Sequence, residues 1–398
     1  FMSNKKVGKE ENRKGITLIV LVITIIVLLI LAGVSISMLT SHNGILTQAQ
    51  NAKNRTEEAQ ENEANALISY EQIINTSTGV NLGTITGTET SNTVAQDSLG
   101  NRVVVPAGFT VENPNDNVED GIIIVDSDKS RVTYGSEFVW IPVGENIKKK
   151  DKTTFDIKLG RYVYKEDGTI DITLSKTEPT GQLRNSLADS IYYTEGLKDT
   201  PTTNTHAKDI EAFISKVKTT GEYYIARYGA RTKAERTAPT NDEGLTQLTV
   251  KPDEYVYNFV TQPQAASLSR NMYVGTNFTS DLMNSYTWDT TIDFLQKCDD
   301  REGENKTPYS RQTSLYGGMA EKGTIGTDKE DKICNIYDMA RNCYEWSTET
   351  SSNGEWLCVA RGGCYNDGNN TTSFRYGTGI SYSNIYGAGV TFRPILYL

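Results

Sequence analysis

The chain has 398 residues, a net charge of -10 at pH 7 and 37% hydrophobic residues, so it is long enough for more than one folded domain. Its acidity argues against sequence-independent nucleic-acid binding, which needs clustered lysines and arginines to displace phosphate counterions. No serine-hydrolase, phosphate-loop or dinucleotide motif is present, and neither His42 nor His206 has a partner at metal-ligand spacing. We therefore expect no nucleic-acid partner and no catalytic residue.

A long apolar segment follows a short basic N-terminus. Ile16 to Ile36 gives 21 residues without a charge, and at about 1.5 Å per residue this length matches a hydrocarbon core of roughly 30 Å. The basic flank is typical of the cytoplasmic side of a membrane. We predict a membrane partner, a cell-membrane location and an extracellular position for the bulk of the chain.

The start of this segment resembles the processing site of type IV prepilins, which are cut after a glycine so that the apolar helix is retained. The resemblance implies that Gly15 and Ile16 flank the cut, that residues 1–15 form a leader, and that other pilin-like subunits are partners in a surface filament. Pilins usually carry glutamate where this chain has Val20, which leaves pilus assembly open. A Sec signal peptide is the competing interpretation, although its apolar region would be shorter.

The remaining spacing predicts an α+β protein. Apolar residues keep a loose helical period, so residues 16–75 are predicted as one transmembrane and stalk helix, with a solvated juxtamembrane helix as the alternative. Residues 76–96 are rich in Thr, Ser, Asn and Gly, which favours a linker. The predicted elements that follow are a small β region over residues 97–136, with strands at Leu99–Val111 and Gly121–Asp126, then short helices at Asp209–Val217 and Thr290–Lys297 among short strands and long loops.

The most unusual composition lies in residues 364–391, named here the polar run. The polar run contains no Lys, Glu, Gln, Met, Trp, His, Leu or Pro and consists mostly of Gly, Tyr, Asn, Ser and Thr. This mixture cannot build an aliphatic core but suits a recognition surface, because Tyr offers contact area at low entropic cost and Ser, Asn and Gly offer adaptable hydrogen bonds. The alternative is a glycine-rich coil with tyrosines packed beneath it. The predicted ligand-binding residues are Tyr365, Asn366, Asp367, Asn369, Asn370, Thr371, Phe374, Tyr376, Ser381, Tyr382, Asn384 and Tyr386.

Regular structure is expected on both sides of the polar run. Arg361-Gly362-Gly363 predicts a turn and residues 390–398 predict a closing strand. In these flanking segments Trp346, Phe392 and Ile395 are predicted to be buried.

The flanking motifs resemble a known family. IYDMARNCYEW, VARGG and TFRPILYL are similar to the signature of the formylglycine-generating-enzyme domain, which has a C-type-lectin-like fold, and the resemblance covers residues 137–398. Enzymatic members bind copper through a cysteine pair, but those positions hold Asp367 and Thr372, which offer no thiolate to a soft metal ion. Arg341 also replaces the usual glycine of the turn. The resemblance therefore implies the fold without the activity, and a related enzyme remains the alternative.

A second resemblance is to the variable proteins of diversity-generating retroelements, which end in a lectin-like domain with an Asn-, Tyr- and Ser-rich segment. Adenine-targeted mutagenesis of AAC or AAT codons never yields Lys, Glu, Gln, Met or Trp, and the polar run lacks all five. The resemblance implies a surface protein that recognises a protein or glycan ligand through a diversified domain. A purely structural pilin subunit is a further alternative.

All five cysteines lie in the last quarter of the chain. An odd number outside the cell leaves one thiol unpaired, and Cys364 is assigned that role because it lies in the polar run. Cys343 and Cys358 are the predicted disulfide, with five buried thiols as the alternative.

No cofactor is expected, with calcium as the open alternative. Asn342 and Glu345 are calcium candidates by resemblance alone. Asp328, Glu330 and Asp331 lack the ordered ligand spacing of a calcium loop, which favours a solvated acidic loop.

Overall fold

The computed structural model describes residues 20–31, 52, 53, 55, 56, 80–177, 181–195, 207–298, 307–313, 332–353, 358–365, 370–378 and 389–398. The chain divides into two compact units, Phe1–Glu71 and Gln72–Leu398.

In the first unit, residues 20–31 are helical and carry exposed apolar side chains. Thr24 is the polar residue among them, and its hydroxyl donates to the carbonyl of Val20 at 2.7 Å, which satisfies the group within the helix. Over the part of the chain that the structure describes, no helix has both the length and the apolar character needed to cross a membrane. The predicted cleavage residues Gly15 and Ile16 lie outside the described residues.

The second unit is a mixed α+β structure that is mostly sheet, in agreement with the predicted fold class. Its strands are β1 (Thr93–Gln96), β2 (Arg102–Val105), β3 (Phe109–Val111), β4 (Ile123–Asp126), β5 (Glu137–Pro142), β6 (Gly144–Lys148), β7 (Thr154–Ile157), β8 (Tyr193–Glu195), β9 (Glu222–Ala226), β10 (Arg231–Thr232), β11 (Tyr255–Val256), β12 (Thr279–Leu282), β13 (Lys332–Ile333), β14 (Ile336–Tyr337), β15 (Tyr344–Ser351), β16 (Cys358–Arg361), β17 (Arg375–Thr378), β18 (Val390–Phe392) and β19 (Pro394–Tyr397). Its α-helices are α1 (Ile210–Thr220), α2 (Gln262–Arg270) and α3 (Ser285–Cys298).

Two sheets organise this unit. An antiparallel sheet has the strand order β12-β19-β9-β5-β4-β3. The second sheet has the order β17-β16-β15-β18, with β8 also paired to β15, and its β15–β18 pair is parallel. The predicted closing strand over residues 390–398 is in fact two strands, because β18 belongs to the second sheet and β19 to the first.

Two domain predictions need correction. The predicted linker over residues 76–96 contains β1, which pairs with β2 in register from Thr93↔Val105 to Gln96↔Arg102. Leu82 and Val94 from the same stretch are buried in the core, so this segment is part of the folded unit. The predicted small β region is not separate either, since β3 and β4 form one edge of the sheet that contains β5.

Helix α3 begins earlier than the predicted Thr290 because a side chain caps it there. The Asn284 side chain accepts a hydrogen bond from the Thr287 backbone at 2.9 Å, which satisfies a donor of the first turn. The helix is buried along nearly its whole length although it contains Thr and Asp side chains. Those polar groups are bonded: the Tyr223 hydroxyl from β9 is 2.8 Å from that of Thr291. Helix α1 lies where it was predicted, but it ends at Thr220 and not at Val217, and Asp209 is its N-terminal cap.

Candidate functional site

The polar run is held by the second sheet at three places. The run follows β16, which ends at Arg361. Within it, β17 pairs antiparallel to β16, and its last residues begin β18, which pairs parallel to β15. The departure point requires glycine: Gly362 has a φ of +78°, and a Cβ there would lie 2.4 Å from the Met339 carbonyl oxygen. The predicted turn at Arg361-Gly362-Gly363 therefore has a steric cause.

The predicted ligand-binding residues that the structure describes are all half-buried. They are Tyr365, Asn370, Thr371, Phe374 and Tyr376. Thr372 and Arg375 lie between them in sequence and are buried. The remaining predicted residues lie outside the described residues, namely Asn366, Asp367, Asn369, Ser381, Tyr382, Asn384 and Tyr386.

Several of these side chains gather around Tyr344 of β15. The Tyr376 ring stacks on Tyr344 with a centroid distance of 4.8 Å and an interplanar angle of 10°. The Asn370 amide donates to the Tyr344 hydroxyl, and the Phe374 ring lies 6.4 Å from that of Tyr376. One side of each of Asn370 and Tyr376 is thus used in packing, and the rest of each side chain stays partly exposed.

The polar run is attached to the rest of the second unit at several of its backbone groups. Arg361 donates from Nε to the Phe374 carbonyl at 3.1 Å and from Nη2 to the Ser373 carbonyl at 3.2 Å. The Trp288 indole N–H donates to the Thr372 carbonyl at 2.9 Å. The Thr372 backbone N–H in turn donates to the Gln312 carbonyl at 2.9 Å. These bonds would persist if the half-buried side chains changed, because backbone groups are common to all residues.

Beneath these backbone contacts lies a cluster of five charged residues, named here the buried charge cluster. Its members are Arg161, Asp289, Glu349, Arg361 and Arg375. Glu349 accepts from Arg375 at 2.9 Å, from Arg361 at 3.1 Å and from Arg161 at 3.1 Å. Asp289 accepts from Arg361 at 2.5 Å and also from Arg375. Strands β15, β16 and β17 and helix α3 are therefore tied together by paired charges under the run.

Electrostatics keep Glu349 and Arg375 of this cluster ionised despite their burial. Burial raises the pKa of Glu349, but the guanidinium groups of Arg375, Arg361 and Arg161 outweigh that effect and lower it to about 2. Burial lowers the pKa of Arg375, and the carboxylates of Asp289 and Glu349 reverse the effect and raise it above its ordinary value. Glu349 and Arg375 therefore remain charged at neutral pH.

A second buried ion pair lies where the chain crosses between the two sheets. Arg393, between β18 and β19, donates to both carboxylate oxygens of Glu345, at 2.6 and 2.8 Å. It also donates to the carbonyls of Ala226 and Tyr337, at 2.7 and 2.8 Å. The carboxylate of Glu345, a calcium candidate by resemblance, is thus already engaged by an arginine.

The calcium candidate Asn342 lies in the turn before β15. It has a left-handed φ of +70°, and Asp338 in the same turn has a φ of +63°. Arg341 does not have a positive φ, so a glycine, as in the family whose motifs the sequence resembles, is not needed for this backbone. Among the described residues, no group of three or more His, Cys, Asp or Glu side chains is arranged to hold a metal ion.

The predicted disulfide between Cys343 and Cys358 is wrong. Both residues are buried and neither forms a disulfide bond. Cys358 faces Thr350 in the β15–β16 ladder, whereas Cys343 precedes the first residue of β15. Seven residues of strand separate Cys343 from Thr350, roughly 23 Å at about 3.3 Å per residue, and a disulfide needs Cα atoms within about 7 Å.

The buried charge cluster was missed by the sequence analysis. Its signal is the presence of Asp289 and Glu349 inside segments that otherwise have the aromatic and β-branched character of buried elements. The prediction that apolar residues in the flanking segments are buried is confirmed, since Trp346, Phe392 and Ile395 are each 0% exposed.

Comparison with known proteins gives little further information. No family model matches the chain, and no curated protein matches it. Among solved structures, the chain is similar to PvdO from Pseudomonas aeruginosa, with a TM-score of 0.32 and 10% identity over 66% of this chain and 95% of that chain. A likeness of this degree carries no argument about fold or function.

Proposed function

We propose that this chain is a membrane-anchored or pilus-associated surface protein that presents a lectin-like ligand-binding domain diversified by a retroelement. The polar run supplies the contact surface, and the N-terminal apolar helix fixes the protein to the cell membrane or to a filament of pilin-like subunits. The proposal assigns no catalytic residue and no cofactor.

The observation that carries the proposal is the attachment of the polar run through its backbone. A binding site that tolerates many side chains needs a chain path that does not depend on them. Arg361 supports this requirement by bonding the carbonyls of Ser373 and Phe374, and Trp288 does so by bonding that of Thr372. The buried charge cluster in turn holds Arg361 in place with Asp289 and Glu349.

The side chains that remain half-exposed suit molecular recognition. Tyr365, Phe374 and Tyr376 are aromatic, and Asn370 and Thr371 are polar. Aromatic anchors dominate the energy of binding surfaces, and small polar residues adapt their hydrogen bonds to different partners. A protein or a glycan would therefore be a suitable ligand.

The retroelement part of the proposal is tested by sequencing the gene in a cell population. Substitutions are expected at codons for half-buried residues such as Asn370 and Tyr376, in AAC or AAT codons or their adenine-derived variants. Arg375 is the matched control, because it lies inside the polar run but belongs to the buried charge cluster. A near-repeat of this segment beside a reverse transcriptase gene is also expected. Uniform conservation of Asn370, Tyr376 and Arg375 would contradict diversification.

A further inference from the structure

The start of the polar run lies beside the segment that precedes β15. The ladder contains Glu345↔Arg361, and beyond it the Tyr365 backbone N–H donates to the Asn342 carbonyl at 2.9 Å. This backbone bond joins the residue before Cys343 to the residue after Cys364, so the two cysteines lie in adjacent segments of the chain.

The sulfur of Cys364 lies beside Gly389, which directly precedes β18. Strand β18 runs parallel to β15 in the register Tyr344↔Val390, so Gly389 and Cys343 each directly precede a member of that pair. The Cys364 thiol donates to the Gly389 carbonyl at 3.4 Å. A Cβ at Gly389 would lie 2.9 Å from this sulfur, which shows how closely the strand approaches it.

The surroundings of the two thiols agree with this placement. Cys343 is 6% exposed and Cys364 is 1% exposed. Tyr365 packs against the apolar clusters that contain each of them. Burial raises the pKa of Cys343 well above its ordinary value, and the neighbouring Cys364 is the next cause.

We propose that Cys343 and Cys364 are a disulfide-forming pair that fastens the start of the polar run to β15. Disulfides require Cα atoms about 4.4 to 6.8 Å apart, a separation that adjacent chain segments can provide. This assignment replaces the predicted pairing of Cys343 with Cys358. It also gives a partner to Cys364, which was predicted from the sequence to be the unpaired cysteine. Position 364 then belongs to the support of the binding surface, and the exposed surface begins at Tyr365.

Formation of the bond is an oxidation by a small-molecule disulfide such as oxidised glutathione. A thiolate of the pair attacks the glutathione disulfide, which releases one glutathione thiol and leaves a mixed disulfide. The second protein thiolate then attacks the protein sulfur of that mixed disulfide and releases the second glutathione. Two electrons pass from the protein to glutathione, and the protein loses two hydrogen atoms in total.

In the cell, this step rests on the proposed function, because extracellular compartments keep disulfides oxidised and the cytosol does not. The pairing itself follows from the geometry and can be tested in the purified full-length protein in detergent. The protein is equilibrated with oxidised glutathione, remaining thiols are alkylated, and the peptides are analysed by mass spectrometry without reduction. Trypsin alone is insufficient, because Cys343 and Cys358 share the peptide between Arg341 and Arg361.

Digestion with trypsin and glutamyl endopeptidase together separates Cys343 from Cys358, because the second enzyme cuts after Glu345, Glu349 and Glu355. Trypsin separates Cys358 from Cys364 by cutting after Arg361. The expected product joins the Cys343 peptide to the Cys364 peptide, and the same product is expected from Cys358→Ser. Oxidation should raise the Tm of the original chain and of Cys358→Ser by several degrees, and leave that of Cys343→Ser unchanged. Alkylation of both Cys343 and Cys364 after equilibration, or a link from either to Cys358, would overturn the pairing.

Protein taken directly from cells tests the extracellular position separately from the cysteine pairing. A Cys343–Cys364 link in that sample supports both the pairing and the extracellular position. If the link forms only after glutathione treatment, the pairing is supported and the extracellular position is contradicted.

Discussion

Arg361 and Arg375 face each other directly across strands β16 and β17, although both carry a buried positive charge. Facing like charges on a sheet are destabilising. Asp289 and Glu349 compensate, since each carboxylate accepts hydrogen bonds from both arginines. The support of the polar run thus depends on two acidic residues that come from α3 and β15.

Replacement of Glu349 with Gln should strongly destabilise the protein. The change keeps the shape of the side chain but removes the carboxylate that pairs with Arg161 and leaves Arg361 and Arg375 with Asp289 alone. Uncompensated buried charge costs about 3 to 5 kcal/mol. Chemical denaturation of Glu349→Gln measures the loss.

The control for that variant is Glu166→Gln. Glu166 also pairs with an arginine, Arg311 at 2.7 Å, but its side chain is 88% exposed. Exposed pairs contribute about 0 to 1 kcal/mol, so this variant should be nearly neutral. Equal stability losses in Glu349→Gln and Glu166→Gln would mean that the buried charge cluster is not a structural support.

Glu222 should make the folded protein less stable as pH rises through neutrality. Burial raises its pKa from 4.5 to about 7, although Arg102 and hydrogen bonds from Val104 and Trp140 act in the opposite direction. The folded state therefore holds a proton that the unfolded state releases near pH 4.5. This stabilisation is complete below pH 4.5 and is lost as pH rises through about 7.

The variant Glu222→Gln tests this pH dependence. Glutamine stays neutral at every pH. The stability of Glu222→Gln relative to the original protein should therefore increase between pH 4.5 and pH 7, by at most about 3 kcal/mol in total. Denaturant midpoints measured at several pH values across this window give the difference. A constant difference between the two proteins would show that Glu222 does not titrate there.

Gly362→Ala should disturb the point at which the polar run leaves β16. A Cβ at this position would meet the Met339 carbonyl at 2.4 Å, and φ is +78°. We expect a loss of at least about 2 kcal/mol, because steric overlap adds to the strain of a left-handed alanine. Gly144→Ala is the matched control, since no heavy atom lies within 4 Å of the added Cβ. Denaturation of both variants should separate them clearly.

The folded fragment should begin near Gln72 and not at Asp97. Residues before Asp97 include β1, and Val94 and Ala95 of that strand are buried against the core. A fragment of residues 72–398 should therefore unfold cooperatively, and one of residues 97–398 should have a lower Tm because β2 loses its partner. Thermal scans of the two fragments check this. Equal Tm values would show that β1 contributes no stability.

Sequence patterns predicted the elements that depend on local signals. The helix near Asp209, the turn at Gly362 and the buried apolar residues such as Trp346 are local features of side-chain type and spacing, and each of these elements is present in the structure. The division of residues 390–398 between two sheets could not be predicted in this way. It depends on Arg393, whose bonds to Glu345 and Ala226 join residues far apart in sequence.

The buried charge cluster shows the same limitation for the candidate site. Arg161 and Glu349 are 188 positions apart and meet only after β8, β15 and α3 have assembled. Charges in sequence favour exposure, so composition assigns them to the surface. The half-buried state of Asn370 and Tyr376 likewise follows from packing against Tyr344, which the polar run alone does not specify.

The last prediction separates the support of the polar run from its binding surface. Phe392 is 0% exposed and packs against Tyr257 at a ring distance of 5.5 Å, so Phe392→Ala should cost roughly 3 to 5 kcal/mol and damage folding. Tyr382, Asn384 and Tyr386 lie outside the described residues, and their alternate spacing predicts one shared face if the segment is extended. Replacing these three together with Ala should leave Tm within a few degrees, because exposed changes are usually worth about 0.5 kcal/mol each.

The same triple variant should lose or change binding when it and the original full-length protein are compared on a glycan array and on a panel of cell-surface proteins. Aromatic anchors carry most of the energy of a binding surface, so removing two tyrosines should weaken retained interactions at least about tenfold. Phe392→Ala provides the comparison, because it should lower Tm. Any loss of binding in that variant would therefore follow from the loss of folding. If the triple variant unfolds while the original protein stays folded, Tyr382, Asn384 and Tyr386 belong to the core, and the polar run is structural. If it remains folded and binds every probe as the original protein does, recognition lies elsewhere on the domain.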